Sequence, residues 1–163
     1  MKIYKPPLET PEIPSDQYSI FLAGSIDMGA AEDWQAKLET DLSEIDDLVI
    51  FNPRRDDWDS SSPQDPTPGS KFHEQVTWEL DHIDKADIVI LYFADDSMSP
   101  ITLLEFGYIG ANLDKNVIIY CTDKFYRYGN VRIFADRQHI PIFDNYEDFL
   151  TAIKQYWYSP SNY

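Results

Sequence analysis

Ala86-Asp87-Ile88-Val89-Ile90-Leu91-Tyr92-Phe93 is followed by Ala94-Asp95-Asp96-Ser97-Met98-Ser99-Pro100 and then by Ile101-Thr102-Leu103-Leu104-Glu105-Phe106-Gly107. The first run is apolar, rich in β-branched residues and bounded by charge, which predicts a strand buried on both faces. Ser99-Pro100 reads as the cap and first residue of a helix. Together they form a strand-loop-helix unit. In open α/β sheets ligands bind where strands end and helices begin, so Glu105, a carboxylate early in that helix, stands at the expected active site. Leu103, Leu104 and Phe106 would face the sheet and an adjoining helix, and Gly107 lets a backbone or a ligand come close. Charged residues on helices are usually solvated, so the pattern alone leaves two readings for Glu105: the exposed stripe of an amphipathic helix, or a functional carboxylate.

The whole chain sets the bounds on that choice. Its 163 residues, 43% hydrophobic and 15% aromatic, suit one domain with a substantial core. A net charge of -16 with no basic cluster repels a phosphate backbone, which argues against nucleic-acid polymers and anionic membrane surfaces as partners and in favour of a small ligand. No charged segment leads into a long apolar one, so neither a signal peptide nor a transmembrane helix is expected, and the expected location is cytoplasmic. The single cysteine, Cys121, ends a strand-like run and reads as a small core residue rather than a nucleophile. His73, His82 and His139 show no ligand spacing with other donors, so no metal and no cofactor is expected.

Outward from the central unit, residues 1–17 carry Pro6, Pro7, Pro11 and Pro14 without an apolar period and predict an extended, irregular arm, leaving residues 18–163 as the domain. Tyr18-Ser19-Ile20-Phe21-Leu22-Ala23 predicts the first central strand. Gly24-Ser25-Ile26-Asp27-Met28-Gly29 is the loop that leaves it, where small residues let backbone N–H groups approach a sugar or phosphate; the Gly-Lys-Ser/Thr ending of a P-loop is absent. Trp34, Leu38 and Leu42 mark a helix over 30–45, and Leu48-Val49-Ile50-Phe51 a second strand. The loop Asn52-Pro53-Arg54-Arg55-Asp56-Asp57-Trp58-Asp59 is either a base-binding or lid segment or a surface loop whose charges pair with one another. A helix over 71–85 carries Glu74, Gln75 and Glu79. Asn116-Val117-Ile118-Ile119-Tyr120, a short helix over 131–138, His139-Ile140-Pro141-Ile142-Phe143 and a helix over 146–157 complete the chain. About five β-α repeats imply a parallel sheet with helices on both faces and right-handed crossovers. The aromatic tail Tyr156-Trp157-Tyr158 and Tyr163 either marks an interface or packs on its own domain.

Six segments, in order, carry a resemblance: Phe21-Leu22-Ala23-Gly24-Ser25, Phe51-Asn52-Pro53-Arg54-Arg55, Gln75-Val76-Thr77-Trp78-Glu79, Ile83-Asp84-Lys85-Ala86-Asp87, the stretch from Ser99-Pro100 to Leu104-Glu105-Phe106-Gly107, and Gly129-Asn130-Val131. Together they resemble the nucleoside 2-deoxyribosyltransferase family. The resemblance implies a flavodoxin-like (Rossmann-like) three-layer α/β sandwich and an enzyme that cleaves the N-glycosidic bond of 2'-deoxynucleosides and passes the sugar to another base. It also implies Glu105 as nucleophile, Glu79 near the leaving base, and Asn130 donated to a neighbouring subunit's pocket in a homo-oligomer. Gly24, Ser25, Asn52, Arg54, Asp57 and Ser99 are the other expected substrate contacts, and a nucleoside or nucleotide with a free nucleobase are the expected partners. Two departures are visible: Phe106 stands where leucine is usual, and Ser99 where transferases often carry aspartate. In related hydrolases of nucleoside 5'-monophosphates that position resembles a phosphate-binding serine, so an N-glycosidase acting on monophosphates is the alternative, and a non-catalytic nucleotide sensor a third.

The chemistry accounts for these residue types. Cleaving an N-glycosidic bond builds positive charge at C1', and a carboxylate on the opposite face can capture that carbon covalently. The departing base needs a proton, which calls for an acid such as Glu79 or one in the arginine-aspartate loop. A helix N-terminus favours an ionised Glu105 and burial opposes it; the two effects compete.

Overall fold

The computed structural model describes residues 1–26, 33–55, 61, 63–111 and 115–158. In chain order its elements are β1 (Lys2–Tyr4), β2 (Tyr18–Gly24), α1 (Trp34–Asp41), β3 (Leu48–Phe51), α2 (Lys71–Lys85), β4 (Ile88–Phe93), α3 (Pro100–Gly110), β5 (Asn116–Cys121), α4 (Tyr128–Gln138), β6 (Ile142–Phe143) and α5 (Tyr146–Tyr158). Among the described residues the six strands form one sheet in the order β1-β3-β2-β4-β5-β6, and every neighbouring pair is parallel. Without the edge strand β1 this is the order of a flavodoxin-like fold, in which the chain reverses direction across the sheet between β2 and β4.

Alternation along the central strands builds two cores. Val89, Leu91 and Phe93 of β4, with Phe21 and Ala23 of β2, pack under α2, α3 and α4 through Trp78, Ile83, Phe106, Ile109, Val131 and Ala135. Ile88 and Ile90, with Ile20 and Leu22, pack under α1 and α5 through Trp34, Leu38, Phe149 and Ile153. Because both faces are covered, β2 to β4 read as continuous apolar runs rather than alternating ones. Each large side chain buried here contributes on the order of 2 kcal/mol. α3 and α4 approach closely: a Cβ on Gly110 would lie 2.5 Å from a ring carbon of Phe134, whose ring meets Phe106 edge-on at 4.9 Å.

Local chemistry fixes the helix starts. The Ser70 hydroxyl accepts from the His73 N–H at the head of α2, and the Asn145 side chain accepts from the Glu147 and Asp148 N–H groups at the head of α5. α1 is shorter than the expected 30–45. Asp33 caps it by accepting from the Ala36 N–H, and after Asp41 the chain turns through bonds from Ser43 to Thr40 and from Ile45 to Leu42, with Leu42 and Ile45 still buried. Residues 30–32 of that expected helix lie outside the described residues.

The proline-rich arm is not irregular throughout. Lys2–Tyr4 adds a sixth strand by pairing with Val49, Ile50 and Phe51. Beyond it the Trp78 indole donates to the Leu8 carbonyl (3.1 Å), Thr10 bonds the His82 ring, and Tyr4 and Ile13 pack on the α2-side core. The aromatic tail resolves in favour of its own domain: Trp157 meets Tyr18 edge-on at 5.2 Å, and Tyr156 and Trp157 pack on the α5-side core. Tyr163 lies outside the described residues.

Candidate active site

The reversal between β2 and β4 is lined by serine hydroxyls. Ser25 follows β2; its Oγ accepts from the Ala94 N–H (3.0 Å) and lies 2.5 Å from the Ser99 Oγ. Ser97 bonds the Ser99 hydroxyl (2.7 Å) and accepts the Ser99 N–H (3.1 Å). All three side chains are buried. Ser99 adopts a left-handed backbone (φ 41°, ψ 48°), a strained conformation for a residue with a Cβ, and Pro100 starts α3 immediately after it. Gly24 has a packing reason: a Cβ there would lie 2.5 Å from the Trp34 ring and 2.7 Å from the Tyr92 carbonyl oxygen. That indole stacks on Tyr92 at 4.6 Å and donates to the Ser25 carbonyl (2.9 Å).

Two half-buried carboxyls, Glu79 on α2 and Glu105 on α3, lie near enough for the charge of one to act on the other. Burial, and secondarily the Glu79 charge, push the Glu105 carboxyl up to about 8. Glu79 is itself raised by burial, against a hydrogen bond from Gln75 that favours its charged form. Glu105 is the sixth residue of α3, beyond the first turn where the helix dipole acts, so burial outweighs the dipole. Glu105 is therefore not the exposed stripe of its helix. Ile101, Leu104 and Tyr108 form that stripe instead.

Residues 52–55 are held between α1 and α2 rather than lying as a solvated loop. Asn52 is buried; its Nδ2 donates to Glu39 (2.6 Å) and its Oδ1 accepts the Arg54 N–H (2.9 Å). The Arg54 guanidinium reaches Gln35 Oε1 (3.4 Å) and Asp33 (3.5 Å), and that of Arg55 lies 3.9 Å from Glu74. The Gln75 amide donates to the Pro53 carbonyl (2.9 Å) and to Glu79 (2.7 Å), tying this segment to the acid pair. Asp57 lies outside the described residues.

Asn130 is exposed in the first turn of α4, and among the described residues no hydrogen bond joins its side chain to Glu79 or Glu105. Burial pushes the Cys121 thiol up to about 12, so it is no nucleophile at neutral pH. Among the described residues no three His, Cys, Asp or Glu side chains cluster as a metal site, and His82 is stacked on Trp78 and bonded to its carbonyl. Sequence reasoning missed Ser97 and any role for Gln75, although the four-residue spacing of Gln75 and Glu79 places both on one helix face.

Residues 17–125 match the family model described as nucleoside 2-deoxyribosyltransferase like, over more than half of the chain. The chain belongs to this family. The match includes Glu79, Ser99 and Glu105 and stops before Asn130. Among solved structures, this family member is similar to a conserved protein from Enterococcus faecalis V583, with a TM-score of 0.58 over 85% of this chain and 98% of the other at 15% identity, a likeness of fold alone. None of the curated proteins matches this nucleoside 2-deoxyribosyltransferase-like chain. No helix among its described residues is long and apolar enough to cross a membrane.

Proposed function

We propose that this protein is a nucleoside 2-deoxyribosyltransferase, with Glu105 as nucleophile and Glu79 as proton donor to the leaving base. The observation that carries the reading is the pair of half-buried carboxyls on adjoining helices, close enough that the Glu79 charge raises Glu105. Two such groups titrate as a unit and hold one proton between them over a range of pH. In the reaction the proton that the pair holds passes from Glu105 to Glu79 as substrate binds, the Glu105 carboxylate attacks C1', the N-glycosidic bond breaks with its electron pair on the base, and Glu79 supplies the proton that neutralises it. A second base then attacks C1' from the opposite face, releasing Glu105 and returning its proton to Glu79. Incubating the protein with one deoxynucleoside and a different free base tests this: the new deoxynucleoside is the expected product, free sugar would indicate the hydrolase, and binding without turnover the sensor. The kcat/KM profile should be bell-shaped, with its alkaline limb at about 8, where the pair loses its last proton.

The serine turn supports the hydrolase of 5'-monophosphates as a second reading, since Ser25, Ser97 and Ser99 gather at the head of α3. Their hydroxyls, however, are buried and spent on one another, so the nucleoside is the expected substrate. Ser99→Ala should leave the ratio of deoxynucleoside to monophosphate cleavage unchanged. A wild-type preference for the monophosphate that drops about tenfold or more in Ser99→Ala would reverse this choice.

The site is proposed to be completed by a second copy. Asn130 is exposed on α4, which also exposes Ile133 (72%), and the adjoining α3 exposes Leu104 (70%). Large exposed apolar side chains on adjoining helices favour a protein partner, and a two-fold contact between copies would bring each Asn130 to the other subunit.

A further inference from the structure

We propose that Gln75 selects the base: its Oε1 accepts an N–H from an exocyclic amino group beside the ring nitrogen that Glu79 protonates, so amino-bearing bases are taken over their oxo counterparts. The inference rests on the N-glycosyl-transfer reading above. Gln75 is only 8% exposed, and its Nε2 spends its N–H groups on the Pro53 carbonyl (2.9 Å) and the Glu79 carboxylate (2.7 Å). These bonds fix the direction of the amide, because turning it over would set Oε1 against the Pro53 carbonyl oxygen. Among the described residues Oε1 is then a buried acceptor with no partner. Such groups are rare in folded proteins and carry a desolvation penalty that a ligand N–H would relieve.

The two acceptor groups lie side by side. In an amide the oxygen is one carbon away from the nitrogen, and here that nitrogen touches Glu79, so a base that docks on the Glu79 carboxyl has Oε1, enclosed in the ligand-free protein, as its neighbouring acceptor once the site opens to admit it. A protonated Glu79 offers a donor and Oε1 an acceptor. The complementary edge has a ring acceptor next to an amino donor. Adenine presents N7 beside its 6-amino group and cytosine N3 beside its 4-amino group, whereas guanine and hypoxanthine present two acceptors at N7 and O6. Uracil and thymine reverse the pattern, with an N–H at N3 and an acceptor at O4.

Calorimetric titration of the wild-type protein with the free bases adenine, hypoxanthine, cytosine and uracil tests the proposal without turnover. Adenine should bind more tightly than hypoxanthine, or cytosine than uracil, by about tenfold or more. In Gln75→Met, an unbranched apolar chain of similar length, that ratio should fall to within about threefold. The wild-type ratio decides by itself if the variant does not fold. Equal affinities for amino and oxo bases, or an undiminished ratio in a folded Gln75→Met, would overturn the role of Gln75 and leave the transferase reading standing. Failure of the wild-type protein to bind any base would overturn both.

Discussion

Replacing Glu105 by alanine should lower glycosyl transfer by roughly 10⁴-fold or more while the protein stays folded, because loss of a nucleophile removes the covalent route altogether. Mass spectrometry of the wild-type protein quenched during turnover should find a deoxyribosyl adduct on the peptide carrying Glu105. Turnover within a few fold of wild type in Glu105→Ala would refute the assignment. Glu105→Gln separates chemistry from stability. Below the ordinary carboxylate range the group is neutral in both the folded and the unfolded chain, so glutamine should gain little. As pH rises from there to about 8 the unfolded chain loses the proton and the folded chain keeps it, so wild type loses stability and the glutamine variant does not. The difference should grow with pH and level off above about 8, reaching at most on the order of 5 kcal/mol, with the observed gain nearer to roughly 5 °C in Tm. Thermal melts at about pH 4.5 and about pH 8.5 measure it. A gain at low pH that vanishes at high pH would contradict a Glu105 carboxyl held protonated by burial.

Mixing the two inactive variants Glu105→Ala and Asn130→Ala should restore activity. In a two-fold dimer with a shared site, half the exchanged dimers are mixed and each has one intact site, so recovery should approach about one quarter of wild type. Each variant alone should stay near its own background. Leu104→Glu together with Ile133→Glu, which puts charge on the two most exposed apolar side chains of α3 and α4, should dissociate the dimer and lower activity with it. A fully active wild-type monomer, or no recovery after demonstrated subunit exchange, would refute a shared site.

The β4 to α3 unit is legible in the sequence because a strand buried on both faces must be apolar without interruption and Ser99-Pro100 can only begin a helix, not continue one. α2 is legible to its ends, since Ser70 caps it and its apolar positions keep helical spacing up to Ala86. β1 is not legible: three residues are too few to show a period, and they become a strand only because the edge of β3 offers unpaired backbone groups. The tail illustrates the same limit. Tyr156 and Trp157 continue the face begun by Phe149 and Ile153, yet only the placement of Tyr18 shows what that face covers. For the candidate site, local pattern draws attention to Glu105 and the family resemblance to Glu79, but the ionisation of Glu105 depends on how deeply two helices bury it. Gln75 depends on Pro53, 22 residues away in the chain, and no local spacing reveals that bond.

The strapping of the arm across α2 bears on the order in which the protein can mature during synthesis. Lys2–Tyr4 leaves the ribosome before Val49, Ile50 and Phe51 and has no strand to join until they have emerged, and Leu8 and Thr10 wait longer still for Trp78 and His82. Until then the arm is tethered and undocked. Its arrival closes one flank of the sheet and braces the helix that carries Gln75 and Glu79, so the acid pair should reach its final geometry late, after the arm has returned to segments made after it.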